Sequence, residues 1–372
     1  MSKQDQSNSK SESKQTSGRL VSLDAFRGLT ILGMLLVNNA AMDTATPKHF
    51  THAAWNAGVH FADLVFPWFL FIAGVAIPYA FASHIKKGMP RWRYLLKAAG
   101  RAAILFLLGC FIDSSITKQP IIGLGVLQLI GLAYFAAILI YQLPAMWRMG
   151  IALGLLAAHW AIIRFIPVPG LGAGSFTETG NLIYYLNQAY LQQYHLNGII
   201  SVIPTTALVL IGSAIGDLLR SQKKDSLMKT AYMLACGVIL MLAGWLWNLD
   251  LPFNKPVWTS SYILYTAGLG SIVLGLFYLV IDVKGWRWWS FPLVVLGMNA
   301  ILAYVLPIIV KVYIFQGWLW PASALSLQDT ALQLLRALAG KALGGWIYTC
   351  SYIVLWWLVI LQFYRKKLFL RV

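Results

Sequence analysis

Charge is scarce in this sequence, and acidic charge scarcest: 12 Asp and Glu stand among 372 residues, and Asp, Glu, Lys and Arg together make up 11%. A water-soluble chain of this length needs far more charge to cover its surface, so no large soluble domain is hidden in it. Cysteine is also rare. Cys110, Cys236 and Cys350 fall far apart inside apolar stretches, which speaks against a disulfide framework or a CxxC metal site and leaves buried packing as their expected role. The period-2 alternation and evenly spaced turns of barrel strands are missing, as is any convincing internal repeat. The first 18 residues, MSKQDQSNSKSESKQTSG, lack the apolar core of a secretory signal, and their polar, low-complexity composition predicts a disordered tail.

What the chain has in abundance is apolar surface: 59% of residues are hydrophobic and the mean hydropathy is +0.68. Lipid is the solvent that suits such a composition. Apolar runs of the length needed to cross a bilayer occur near 20–42, 60–83, 94–113, 121–142, 149–166, 199–219, 230–249, 259–281, 292–315 and 346–364. These runs are continuous, so helices are expected rather than strands. The predicted fold is an all-α, polytopic integral membrane bundle of about ten transmembrane helices, occupying residues 19–372 as one domain behind the 1–18 tail.

Basic residues set the expected orientation. Threading the ten runs through a bilayer puts 22 of the 29 Lys and Arg on the side of the N-terminus and 7 on the other. Positive charge accumulates on the cytoplasmic side of membrane proteins, so both termini are expected in the cytoplasm. Topology and contact with anionic lipid therefore account for the net charge of +17, and nucleic acid is not an expected partner.

On the far side, the loop between the first two runs reads THAAWNAGVHFADLVFPWFLFIAG over residues 51–74. It gathers His49, His52, Asn56, His60 and Asp63 at the mouth of an apolar segment. An ionisable group inside a span is costly, so Asp63 is expected to face a polar cavity rather than lipid. A solvated loop is the competing explanation, and the better one for His49 and His60. Imidazoles and a carboxylate are also zinc ligands, but the spacing departs from the HExxH pattern that sets two ligands on one helical face, and no metal is expected.

Five segments carry a resemblance. SLDAFRGLTILGMLLVNNA, HAAWNAGVHFADLVFPWFLFIAG, GVLQLIGLAYF, LPFNKPVWTSSYIL and VVLGMNAILAYV, in this order within residues 20–305, resemble the membrane domain of the heparan-alpha-glucosaminide N-acetyltransferase family. The resemblance implies an acetyl-CoA-dependent acyltransferase that takes an acetyl group from the cytoplasm and delivers it to an amino sugar on the opposite side. It also implies a bacterial-type member, in the inner (cytoplasmic) membrane, without the luminal domain and additional N-terminal helix of lysosomal relatives. By motif, the catalytic histidine falls on His52, followed by Trp55 and Asn56 as acceptor contacts. The asparagine of the V-N motif falls on Asn38 and the aspartate before V-F-P-x-F on Asp63. Two positions depart from the family pattern. Leu129 follows the glutamine of G-V-L-Q where many relatives have arginine, and Asn197 precedes Gly198 where many have an acid.

Chemistry gives its own reasons for these residues. An amine attacking a thioester must lose a proton, and the carbonyl oxygen needs stabilisation as it becomes an oxyanion. A histidine titrating near neutrality can take that proton, which assigns His52 as general base, or as the nucleophile of an acetyl-histidine route. Asn38 can donate to the oxyanion, and Asp63 can orient an imidazole. Coenzyme A carries an anionic nucleotide that lipid excludes, so the basic face is expected to hold it through Arg27 and Arg101, with Gln128 in the fourth run toward the donor. Competing structural roles are a helix-local pair of Arg27 with Asp24 and snorkelling of Lys97 and Arg101. Asn254 and Lys255 in the LPFNKPVW loop, and Asn299 in the ninth run, are further acceptor-binding candidates. Expected partners are acetyl-CoA as co-substrate, an amino-sugar acceptor, the lipid bilayer and, as one option, a second copy of the chain. A transporter moving amino sugars or glycopeptides unmodified fits the same intramembrane polar groups and stands as the alternative.

Overall fold

The computed structural model describes residues 20–319 and 325–370; the predicted 1–18 tail lies outside the described residues. The chain builds helices α1 (Val21–Asn38), α2 (Phe61–Lys86), α3 (Arg91–Thr117), α4 (Val126–Tyr141), α5 (Ala145–Phe165), α6 (Val202–Arg220), α7 (Ser226–Trp247), α8 (Ser260–Phe277), α9 (Phe291–Met298), α10 (Ala300–Val310), α11 (Leu327–Ala339) and α12 (Lys341–Arg365). Among the described residues the only β pairing is three isolated bridges. Among the described residues eight helical segments are long and apolar enough to cross a membrane, and nine if the bent pair α9–α10 is one span. The protein is an all-α polytopic membrane bundle.

Two of the ten predicted spans differ in detail. The fourth, read as 121–142, is a 16-residue helix that starts only at Val126, because Pro120, Gly123 and Gly125 keep the chain before it out of helix. The ninth is broken: Asn299 leaves the helical region at φ −122° and ψ 39°, and the two halves meet at 68°. Bonds from outside the helix hold this break. Asn299 Nδ2 donates to the Leu368 carbonyl at 3.1 Å, and the Leu370 N–H donates to Asn299 Oδ1 at 3.1 Å.

Lipid supplies no hydrophobic drive between helices, so small residues and close backbone packing hold the bundle. A Cβ at Gly28 of α1 would stand 1.8 Å from the Leu293 carbonyl oxygen, and one at Gly297 of α9 would stand 1.8 Å from that of Asp24. At these contacts only glycine fits. Phe26, Leu70, Phe71, Leu208, Leu210 and Tyr262 are completely enclosed at the centre. Leu107 and Phe111 on α3, Leu242 and Trp245 on α7, and Leu355 and Leu358 on α12 face outward as an apolar belt. The cysteines belong partly to this belt and do not form a buried set: Cys350 is exposed, and Cys110 and Cys236 are half-buried.

The connections are unequal. At one end lie the short turns after α2, α6 and α8, which carry Lys86, Lys87, Arg220, Lys223, Lys224, Lys284 and Arg287. At the other end lie the long loops 39–60, 166–201 and 248–259. These loops meet over the start of α2, and His52 sits among them.

Candidate active site

Asp63 organises the loop before α2. It is the third residue of the helix, and its Oδ2 accepts the N–H of His60 at 3.1 Å, satisfying a donor that a helix start leaves unpaired. The same oxygen accepts the N–H of Ala53 at 3.0 Å, which folds the loop back onto the helix. Oδ1 lies 2.8 Å from His52 Nδ1. The Asp63 side chain is 4% exposed and that of His52 56%, so a buried carboxylate holds an imidazole that opens to the cavity. An ionised carboxylate only accepts hydrogen bonds; Nδ1 therefore carries the proton and Nε2 the lone pair. The Tyr262 hydroxyl of α8 donates to the Asp63 carbonyl from below.

Lys255 approaches from the 248–259 loop. Its Nζ lies 3.4 Å from His52 Nε2, 3.1 Å from Nδ1 and 3.7 Å from Asp63 Oδ1. Burial pushes the ammonium's pKa below its ordinary value, and the Asp63 charge only partly counters this. The turn that presents Lys255 is braced by Asn254, which is 3% exposed. Asn254 Oδ1 accepts the Val257 N–H at 3.0 Å, and Nδ2 donates to Asn56 Oδ1 at 3.2 Å. The Asn254 side chain thus ties the Lys255 turn to the His52 loop. Trp258 closes the turn at φ +57°, a left-handed conformation costly for an aromatic residue and one that the surrounding contacts must enforce.

Two cavities adjoin here. His52, Asp63 and Lys255 line the first, of about 530 Å³, together with Ser201 and Trp258. The second, of about 470 Å³, runs between α1, α3, α4 and α10 past Asp113, Gln128 and Lys311. Met34, Asn38, Val126 and Tyr304 belong to both walls. Each has the size of an ordinary small-molecule site.

The predicted residues divide accordingly. Asn38, His52, Asp63 and Lys255 share the first cavity, and Gln128 lines the second. Trp55 and Asn56 instead hold the neighbouring loop: the indole N–H donates to the Phe176 carbonyl at 3.1 Å, and Asn56 Nδ2 points to the same oxygen at 3.5 Å. Asn254 is the brace just described. Asn299 stands apart at the α9–α10 break, its amide engaged by the C-terminal segment. Arg27 pairs with Asp24 at 3.2 Å, and Arg101 donates to the Tyr134 hydroxyl at 3.2 Å on a separate pocket of about 190 Å³ with Lys87 and Lys97. His60 Nδ1 lies 3.0 Å from the Thr51 carbonyl. Among the described residues no group of three or more His, Cys, Asp or Glu is placed to hold a metal ion.

Sequence reasoning missed Tyr262, Trp258 and Tyr304, aromatic residues that give no polar signal inside apolar runs. It also missed Asp113, whose signal was present: a carboxylate closing the third run. Leu129, one departure from the family pattern, lines the first cavity, as does Gly198, the neighbour of the other, Asn197.

Human heparan-alpha-glucosaminide N-acetyltransferase is 28% identical over 351 residues, covering 77% of this chain and 52% of that protein. The mouse protein of the same name is 26% identical over 425 aligned residues, covering 96% of this chain and 61% of its own. The chain thus spans between half and three fifths of the length of these curated relatives. Residues 19–245, which contain Asn38, His52, Asp63 and Gln128, match the family described as heparan-alpha-glucosaminide N-acetyltransferase, catalytic, and the chain belongs to that family.

Proposed function

We propose that the protein is a transmembrane acetyltransferase that carries an acetyl group from cytoplasmic acetyl-CoA to an amino sugar on the opposite side of a bacterial inner membrane. The observation that carries this reading is the buried Asp63 carboxylate 2.8 Å from His52 Nδ1, which leaves Nε2 as a base on a cavity wall. In the reaction the acceptor nitrogen adds to the thioester carbonyl as its proton passes to His52 Nε2. The tetrahedral intermediate collapses with cleavage of the C–S bond, and the proton returns to the leaving sulfur. Asn38, on the wall of both cavities, supplies an N–H to the oxyanion. Lys255 Nζ stands beside the imidazole, 3.1 Å from Nδ1 and 3.4 Å from Nε2, and adds a positive charge to the surroundings of the developing oxyanion.

The nucleotide stays at the basic end, where Arg27 is the candidate on α1. Arg27 and Asn38 are eleven residues apart on that helix, a rise of about 16 Å, which an extended pantetheine arm spans. The human and mouse relatives carry the acetyltransferase name, which supports the same reading.

Acetyl transfer by the full chain in liposomes, with acetyl-CoA on one side and glucosamine on the other, tests it. His52→Ala should lower the rate by about 10²- to 10⁴-fold while coenzyme A binding survives, and His49→Ala and His60→Ala should do far less. Near-normal transfer by His52→Ala removes the assignment. Wild-type liposomes that accumulate unmodified glucosamine without consuming acetyl-CoA would make the protein a transporter.

A further inference from the structure

We propose that Asp113 is a capture site for the protonated amine of the acceptor, in the cavity that adjoins the His52 cavity. The inference rests on the acetyl-transfer reading for the identity of the amine, and on its own geometry for the site. Asp113 lies near the end of α3, inside a segment apolar enough to cross the membrane. A carboxylate inside an apolar span is rare and is kept where it has a partner or a function. Among the described residues it forms no ion pair. Lys311, the cation on the same cavity, is engaged elsewhere, donating to the Asn38 carbonyl at 3.2 Å and to Asn39 Oδ1 at 3.0 Å.

The carboxylate is nonetheless oriented. Gln128 Nε2 donates to Asp113 Oδ2 at 2.7 Å. Gln128 is completely buried, and its Oε1 has no hydrogen-bond partner, an uncommon expense for an enclosed amide. Two glycines make room for the pair: a Cβ at Gly125 would fall 2.4 Å from Asp113 Oδ2, and one at Gly109 would fall 2.0 Å from Gln128 Oε1. Held by Gln128, the half-buried Asp113 carboxylate presents a negative charge and open lone pairs to a cavity of about 470 Å³. A ligand that satisfies it brings N–H donors and a positive charge. An amino sugar at neutral pH carries both on its ammonium group. Because Met34, Asn38, Val126 and Tyr304 line both cavities, an amine captured at Asp113 reaches the His52 cavity past a shared wall; the ammonium gives up its first proton to water as it leaves the carboxylate, and His52 takes the second as the nitrogen adds to the thioester. Asp113 therefore sets which acceptor binds, and His52 performs the proton transfer.

Equilibrium binding of radiolabelled glucosamine to the purified full chain in detergent, with glucose as the neutral isostere, tests the site without acetyl-CoA. Wild type should prefer glucosamine by about 10- to 100-fold, Asp113→Asn should lose the preference, and Asp113→Glu should keep most of it. In transfer assays the effect of Asp113→Asn should fall on the glucosamine KM rather than on kcat. Equal binding of the two sugars by wild type overturns the proposal and needs no variant to fold. So does an Asp113→Asn protein that keeps the preference, or one whose KM rises for acetyl-CoA instead. If wild type shows the preference but transfers nothing, the amine site stands and the acetyltransferase reading falls.

Discussion

Replacing Asp63 by asparagine is the most informative single change, because the amide is nearly isosteric and alters only which atoms donate. The carboxylate accepts from His52 Nδ1 at 2.8 Å, Ala53 N at 3.0 Å and His60 N at 3.1 Å, with Lys255 Nζ at 3.7 Å. Asparagine has one acceptor oxygen. If it serves the two backbone N–H groups, as the fold of the loop requires, the NH₂ faces His52 Nδ1. That nitrogen must then become the acceptor, which moves the ring proton to Nε2 and removes the base. The expected loss in kcat is about 10²- to 10⁴-fold, against a stability cost of about 1 to 3 kcal/mol for the lost charged hydrogen bond. Initial rates of acetyl transfer in liposomes, beside coenzyme A affinity in detergent, separate the two effects. Because Asp63 acts through His52, the double variant His52→Ala/Asp63→Asn should be no slower than His52→Ala by more than about threefold. An Asp63→Asn enzyme within about threefold of the wild-type kcat, binding coenzyme A normally, would refute the tautomer argument.

Asn254→Ala should lower kcat by about tenfold without loss of coenzyme A binding, since it frees the Lys255 turn from Asn56 and Val257 while leaving His52 and Asp63 in place; an unchanged rate would show that the turn holds itself. Sidedness follows from the segregation of basic residues: in a chain whose native cysteines are replaced, cysteines at Ser83 and Ser221 should react with impermeant maleimide from the cytoplasm and one at Thr51 from outside. Labelling of Thr51→Cys from the cytoplasm alone would reverse the proposed direction of transfer.

Helix number and placement were legible because lipid imposes one requirement, a sustained apolar run, that sequence shows directly. The same requirement hides the break at Asn299. Within a run, a polar residue looks alike whether it faces a cavity or ends a half-helix, and here the deciding contacts come from Leu368 and Leu370, about seventy residues on. His52 and Asp63 were legible as a cluster, since a carboxylate at the head of a span stands out. Trp55 and Asn56 share their motif but bond to Phe176 across 120 residues or more, a partner no local pattern names. Asp113 at the close of the third apolar run went unnoticed, because what puts it to use, a cavity wall shared with Gln128 on a second helix, shows in no local pattern.

The position of the polar loop at the start of α2 follows from the cost of Asp63 itself. A carboxylate buried to 4% exposure is tolerated where several donors converge on it, and a helix start is where backbone N–H groups are left without partners. The first turn of α2 meets that condition through His60, and the returning loop adds Ala53 and His52. One carboxylate therefore caps a membrane helix, folds a loop and fixes an imidazole. Its removal should disturb all three, whereas loss of the imidazole disturbs one. His52→Ala keeps both backbone donors on Asp63, so it should express and bind coenzyme A like wild type. Asp63→Ala releases both backbone N–H groups and should lose folded protein as well as activity. Equal yields of folded protein for the two alanine variants would contradict this account of why the loop is built on the helix.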